Sequence, residues 1–209
     1  NIAHQQALLN MCFPKSKITV EYLDWLYFSN PLGEVQGFDA FDGDKLVSHY
    51  ACIPTRVGNE LGLLSLNTAT HPDYRSKGIY RKLAKLTYES VTQDFNFVIG
   101  VANNQSKEAF KKYLGFNELG RLNLRFGELH RPSSGARIWS ESEIKWRVNS
   151  PRQKFVIKKI DDLTSQIEVR PKNLPFKIKA LVPIQNYTAS LSRQIHKSQY
   201  GFTVDWIRN

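Results

Sequence analysis

The chain has 209 residues, 41% of them hydrophobic and 12% aromatic, enough to bury a substantial core and to exclude disorder as a description of the whole. Lys and Arg number 29 against 19 Asp and Glu, a net charge of +10, and no run of about 18 apolar residues occurs, which excludes a membrane-spanning helix. With two cysteines, Cys12 and Cys52, and no basic-then-apolar leader, neither a disulfide framework nor a secretory signal is visible, and a reducing cytoplasm is the expected setting.

In chain order, residues 3–12 read as a helix through Ala7, Leu8 and Met11, stopped by Pro14. Thr19 is placed to cap a second helix with the apolar face Tyr22, Leu23, Leu26 and Tyr27, and Asn30-Pro31-Leu32-Gly33 ends it. Asp42-Gly43-Asp44 between the apolar runs 37–41 and 45–54 predicts a hairpin. Residues 61–70 have the length and leucine content of a buried strand, although Gly62 and Asn67 count against it. From 78 to 94 the residues Ile79, Leu83 and Leu86, and one register round Tyr80, Ala84, Tyr88 and Val91, give a helix with a broad buried face. Residues 95–102, with Val98, Ile99 and Val101, predict a buried parallel strand. Residues 106–114 are helical, Gly115 stops them, and Phe116 opens a strand that reaches residue 126. This order of elements predicts a mixed α/β fold with a partly antiparallel sheet.

Residues 129–136 read as a linker between a first domain, 1–128, and a smaller second one, 137–209. Beyond the linker, ESEIKWRVNSP (141–151) and the apolar run 154–160 echo EYLDWLYFSNP (21–31) and the Phe38 strand, so the C-terminal α/β part reads as a degenerate second copy. Residues 178–183 and 202–207 are further strand candidates and 188–197 a helix. Residues 1–120 carry 12 basic and 12 acidic side chains, and residues 121–209 carry 17 against 7, the whole of the excess. Such a part attracts nucleic acid, anionic lipid or a phosphorylated small molecule, but charges scattered this way equally make a solvated face.

Residues 64–83, LSLNTATHPDYRSKGIYRKL, carry the most chemistry. A strand ends at Thr70, Pro72 prevents its continuation, and a loop with Arg75, Lys77 and Gly78 runs into a helix. The first amides of that helix have no intrahelical acceptor, its macrodipole is positive there, and Gly78 lets a bulky anion approach. Arg75, Lys77, Arg81, Lys82 and Lys85 add five positive charges, with no acid between Tyr74 and Tyr88, so a diphosphate would be well held. Read alone, the same loop is a strand–helix junction in which Gly and Pro only punctuate.

The string resembles the signature of the GNAT superfamily of acyl-CoA N-acyltransferases, Arg/Gln-x-x-Gly-x-Gly/Ala after a strand, with Pro three residues before the Arg. Pro72, Arg75 and Gly78 match, while Tyr80 stands where the family has Gly or Ala. Residues 98–116, VIGVANNQSKEAFKKYLGF, resemble the family's strand, Asn-led helix and closing Gly-Phe, with Asn104 twelve residues before Phe116. The two stretches cover residues 63–126, and the family's first strand has no counterpart ahead of them, so it lies upstream or is supplied otherwise.

The resemblance implies a mixed, mostly antiparallel sheet flanked by helices, with acetyl-CoA as co-substrate in a cleft where two strands splay apart. Its pantetheine would pair with the backbone of Thr68, Ala69 and Thr70. Its phosphates would sit on Arg75, Ser76, Lys77, Gly78, Ile79 and Tyr80, with Asn104, Ser106 and Lys111 on the facing helix. An amine would attack directly, with an N–H near Ala69 or Thr70 serving the oxyanion. Residues 63–70 contain no acid, which leaves His49 and His71 as the nearest candidate bases. The family's thiolate-protonating Tyr falls at Lys111 here, so either Lys111 or solvent protonates the sulfur, or the helix is set differently and Tyr113, two residues on, is the acid, with Tyr80 a less orthodox candidate. The expected acceptor is a small-molecule amine, and the aromatic stretch 22–41 resembles enzymes that acetylate amino sugars. Neither a metal, given the dispersed His and Cys, nor nucleic acid is expected, and the second part either covers the acceptor cleft or mediates a homodimer. The rival reading is a protein that binds CoA without catalysis.

Overall fold

Asn1 and Thr19 start the two leading helices by the same device. The Asn1 Oδ1 accepts from the Ala3 N–H and the Thr19 Oγ1 from the Tyr22 N–H, both at 3.1 Å, giving α1 (Ile2–Cys12) and α2 (Val20–Phe28). The computed structural model describes residues 1–91, 95–102, 104–119, 139–170, 177–183 and 206–208.

Three strands follow: β1 (Gln36–Asp42), β2 (Lys45–Val57) and β3 (Glu60–Thr70). Gly43 takes φ +56° in the turn that joins the first two, a conformation that costs glycine little. Then come α3 (Ile79–Ser90), β4 (Val98–Gly100), α4 (Asn104–Leu114) and β5 (Asn117–Glu118), and Trp206–Arg208 supplies one more strand, β9. These six strands form one sheet in the order β1-β2-β3-β4-β9-β5. The β3–β4 pair is parallel, whereas β1–β2, β4–β9 and β5–β9 are antiparallel. The expected strand from Phe116 to residue 126 is realised only over Asn117–Glu118 among the described residues.

Alternation along β2 sends its side chains to two helical layers. Tyr50 and Cys52 join Leu63, the α3 residues Leu83 and Ala84, and Phe110, Leu114 and Phe116 in one buried cluster. On the opposite face His49 meets Tyr27 of α2. Gly62, the residue that weakened the case for β3, lies under the Phe97 ring: a Cβ there would come within 2.3 Å of the ring, so only glycine leaves room for it.

The chain divides into two units. The first holds Asn1–Thr55, the described parts of Leu61–Arg121, and β9. The second holds Arg56–Glu60 and the described parts of Leu122–Thr203. In the second, Ser140 caps α5 (Glu141–Val148) in a reciprocal box with Glu143, and β6 (Phe155–Asp161), β7 (Thr164–Val169) and β8 (Ile178–Pro183) form an antiparallel sheet with β7 central. Ile144 and Ile167 make its small core, with Trp139 and Phe155 packed against them. Thus α5-β6-β7-β8 repeats the element order α2-β1-β2-β3, and each leading hairpin has a register shift beside its turn, at Ala40/Phe41 and at Lys159/Asp161. The expected linker at 129–136 and helix at 188–197 lie outside the described residues.

Candidate functional site

The His71-Pro72 corner ends β3 firmly. The His71 N–H donates to the Val47 carbonyl at 2.8 Å, its Nδ1 accepts from the Asp73 N–H at 3.3 Å, and Pro72–Tyr74 make one 3₁₀ turn. Arg75 then bends back, its Nε–H donating to the Thr70 carbonyl at 3.1 Å. Ser76 and Gly78 take φ of +61° and +73°, with Lys77 between them outside that region. Such an alternation turns successive backbone N–H groups to one side and makes an anion-binding concavity. A Cβ on Gly78 would meet only the Arg81 guanidinium at 3.5 Å, so φ, not crowding, requires the glycine.

Gly78 is the N-cap of α3, with no side-chain cap and no acid in the first turn. The amides there therefore lack an acceptor of their own, and the macrodipole adds partial positive charge. A cleft of about 490 Å³ opens over this end, lined by Thr70, Tyr74 and Arg75 through Arg81 on one side and Ala109 and Tyr113 of α4 on the other. The Arg81 guanidinium lies 4.9 Å from the centroid of the Tyr113 ring, a cation–π contact that fixes the two cleft walls against each other. Tyr74 donates its hydroxyl to Asp42 at 2.5 Å; this bond, ahead of a small burial effect, pushes the phenol up.

β3 and β4 pair only at Leu63–Val98, Leu64–Ile99 and Ser65–Gly100. Beyond Ser65 the longer strand keeps β2 on one edge and runs on toward the cleft without β4 on the other among the described residues, kinked at Asn67, whose φ is +49°. Ser48 donates to the Ala69 carbonyl at 3.1 Å, and its Oγ lies 2.8 Å from the Thr70 Oγ1. The Thr68 hydroxyl is buried with no hydrogen-bond partner among the described residues.

Of the residues proposed from sequence, the cleft gathers Thr70, Arg75, Ser76, Lys77, Gly78, Ile79, Tyr80 and Tyr113. Tyr80 turns its ring inward, edge-on to Tyr50 at 5.7 Å and near Phe110 at 6.2 Å, where burial pushes its phenol far up and leaves the hydroxyl unpartnered among the described residues. Tyr80 thus packs against the buried cluster while it also lines the cleft. Lys111 and Ser106 lie outside the lining; Lys111 pairs with Glu118 at 3.0 Å, next to Lys107 at 2.7 Å. Asn104 opens α4, and its side chain lies outside what is described. His71 serves the 3₁₀ turn, and His49 lies 3% exposed inside the first unit, between Asp39 at 2.6 Å and Tyr27 at 2.9 Å. Tyr74 and Ala109 were missed as lining residues, while Arg81, one of the charges read from the sequence, falls one turn along α3 from Gly78 and so on the same side.

No family model and no curated protein matches the chain. A GCN5-related N-acetyltransferase from Anabaena variabilis superposes with a TM-score of 0.53 at 13% identity, over 88% of this chain. The chain shares the fold of that GCN5-related N-acetyltransferase. The alignment takes in 57% of the Anabaena protein, so this chain spans little more than half its length. Two further structures align more loosely. An Agrobacterium tumefaciens protein assigned as an acetyltransferase gives a TM-score of 0.47 at 15% identity, covering 61% of this chain and 93% of its own. The GCN5-related glucosamine N-acetyltransferase region of a fungal multi-domain beta-N-acetylglucosaminidase gives 0.42 at 15% identity, covering 79% of this chain and 16% of that one.

Among the described residues no helix is long and apolar enough to cross a membrane, and no three His, Cys, Asp or Glu gather as metal ligands.

Proposed function

We propose that the protein is an acetyl-CoA-dependent N-acyltransferase acting in the cytoplasm on a small-molecule amine, with an amino sugar as the first acceptor class to try. The observation that carries this reading is the Ser76–Gly78 turn, which aims uncapped amides and cationic side chains into the cleft at the start of α3. The residues present fit the coenzyme. Three cations, Arg75, Lys77 and Arg81, and no acid line the phosphate end. The Thr68 hydroxyl, without a partner among the described residues, and the edge of β3 that β4 leaves free after Ser65 offer polar groups to a pantetheine arm.

The thioester supplies the activated acetyl group. Arg75, Lys77 and the amides of Ile79 and Tyr80 hold the phosphates, and the backbone of Thr68, Ala69 and Thr70 orients the arm and offers an N–H to the reacting carbonyl. Positioning of this kind is worth about 7 to 11 kcal/mol when the geometry is right. Tyr113 lies 47% exposed on the far wall, and in this reading it gives the departing sulfur its proton. The incoming ammonium gives its proton to solvent, since His71 is committed to its turn and His49 is enclosed.

Thiol release from acetyl-CoA, followed with amino sugars, polyamines and amino acids as acceptors, tests the reading. Turnover with one class supports transfer. Tight CoA binding without turnover across the panel favours a CoA-binding protein that has lost catalysis, the reading that Tyr80 in place of a small residue and the absence of an acid in residues 63–70 would suit.

A further inference from the structure

A line of hydrogen bonds, buried at its Tyr27–His49 centre and partly buried on either side, crosses the first unit from α1 to β3, and the acyl-transfer reading makes no use of it. The Gln5 Nε2–H donates to Asp39 Oδ2 at 2.9 Å, and Asp39 Oδ1 lies 2.6 Å from His49 Nδ1. The His49 Nε2 lies 2.9 Å from the Tyr27 hydroxyl, which in turn accepts from Asn67 Nδ2–H at 3.1 Å. Tyr27 and His49 are 1% and 3% exposed, so water does not complete their bonding.

The direction of the line follows from its anionic end. Burial acts to raise the Asp39 carboxyl, but the hydrogen bond from His49, the charge which that ring carries only when protonated, and the Gln5 amide hold it below the ordinary range, so beside the neutral ring it is an anionic acceptor. The network then assigns His49 the tautomer with its proton on Nδ1, which leaves Nε2 to accept from Tyr27 O–H and the Tyr27 oxygen to accept from Asn67. The last member is the kink itself, since Asn67 holds φ +49°, tolerable for Asn but unfavourable for most residues. Ser48, the neighbour of His49 on β2, holds Ala69 and Thr70 from the other face. Consecutive residues of one strand thus tie β3 on both sides of Thr68.

We infer that Asp39, His49 and Tyr27 are positioning residues for acyl transfer, holding Asn67 so that Thr68–Thr70 keep the course the thioester requires while His49 is neutral, and releasing it when His49 is protonated. This rests on the coenzyme reading above. A second proton makes His49 Nε2 a donor, so the enclosed Tyr27 hydroxyl loses its acceptor and must turn toward Asn67, which breaks the bond that Asn67 Nδ2–H donates to it. The titratable and charged groups facing the line are Asp39 from β1, Tyr27 and Tyr22 from α2 and Cys52 from β2.

The test is an NMR titration of the whole ¹⁵N-labelled chain from about pH 8 to about pH 5, spanning the range in which histidines titrate, with and without saturating CoA. In the wild-type protein the amide signals of Asn67, Thr68, Ala69 and Thr70 should move together with the His49 ring signals, and CoA should push that joint movement to lower pH by reciprocal coupling. In Tyr27→Phe the ring should still titrate while those amides stay still and CoA loses its effect. Asn67→Gly, which keeps the kink without the amide, should uncouple them in the same way and serves if Tyr27→Phe does not fold. The inference is overturned if the four amides ignore His49 in the wild type, follow it equally in the variants, or respond the same with CoA bound as without. If CoA does not bind the wild-type chain, the coenzyme reading falls and this inference with it.

Discussion

Arg75 donates its Nε–H to the carbonyl oxygen of Thr70 at 3.1 Å, tying the end of β3 to the loop that opens α3. One side chain therefore shapes the turn and charges the cleft. Arg75→Ala should raise the CoA concentration needed for half-maximal thermal stabilisation by about 10- to 100-fold, the worth of a charge-assisted hydrogen bond of about 1.5 to 3 kcal/mol. Arg75→Lys should recover only part of this, because an ammonium on a flexible stem does not reproduce the fork that bonds Thr70 and still faces a phosphate.

Tyr113 stands on the far wall under the Arg81 guanidinium. Tyr113→Phe keeps the ring and the cation–π contact and removes only the transferable proton. Thiol-release kinetics should show kcat reduced about 100-fold, within the usual range for a general acid, with KM for acetyl-CoA little changed. A loss confined to KM would mean that Tyr113 binds without donating.

Ser76 and Gly78 differ in what their left-handed conformations cost. Gly78→Ala should destabilise the fold by about 1 kcal/mol, since a Cβ is unfavourable at φ +73°. Ser76→Gly should leave stability unchanged or raise it by up to about 1 kcal/mol, because the strain removed at φ +61° offsets the extra freedom of the unfolded chain. Urea denaturation of both variants separates these outcomes.

Asp39 gives the acid side of the stability profile. Its carboxyl sits below the ordinary range because His49 and Gln5 together outweigh the upward effect of burial. A lowered folded-state pKa contributes stability that is present above the unfolded value, about 3.9, and is lost as the pH falls through the folded value. Asp39→Asn should therefore melt earlier than wild type at neutral pH, by about 1 kcal/mol for a partly solvated site, and show a shallower fall in Tm below about pH 4. Parallel curves for the two proteins would contradict this.

The fold was legible wherever local pattern and packing agreed. The Asp42-Gly43-Asp44 hairpin, the Thr19 cap, the parallel strand at Val98 and the broad face of α3 all stand as their residues indicate. β7 was not anticipated, because TSQIEV has no apolar run; Ser165, Glu168 and Thr164 are buried in a central strand, where Lys158, Lys177 and Lys179 surround Glu168. The doubts over β3 came from local propensity, whereas Phe97 over Gly62 and Tyr27 on Asn67 are tertiary contacts from distant segments. The phosphate end of the site lies within one contiguous segment and could be read directly. The line from Asp39 to Asn67 could not, since its members are separated by 10 to 40 positions and meet only through strand pairing and the docking of α2.

Calorimetric titration of CoA into the wild-type chain and into Gly78→Glu tests the central claim most directly. The account predicts saturable one-site binding to the wild type and at least about a 100-fold loss in the variant, where a carboxylate would stand at the positive end of α3 and repel the diphosphate. Equal affinity for the two proteins, or no binding by the wild type, would contradict it.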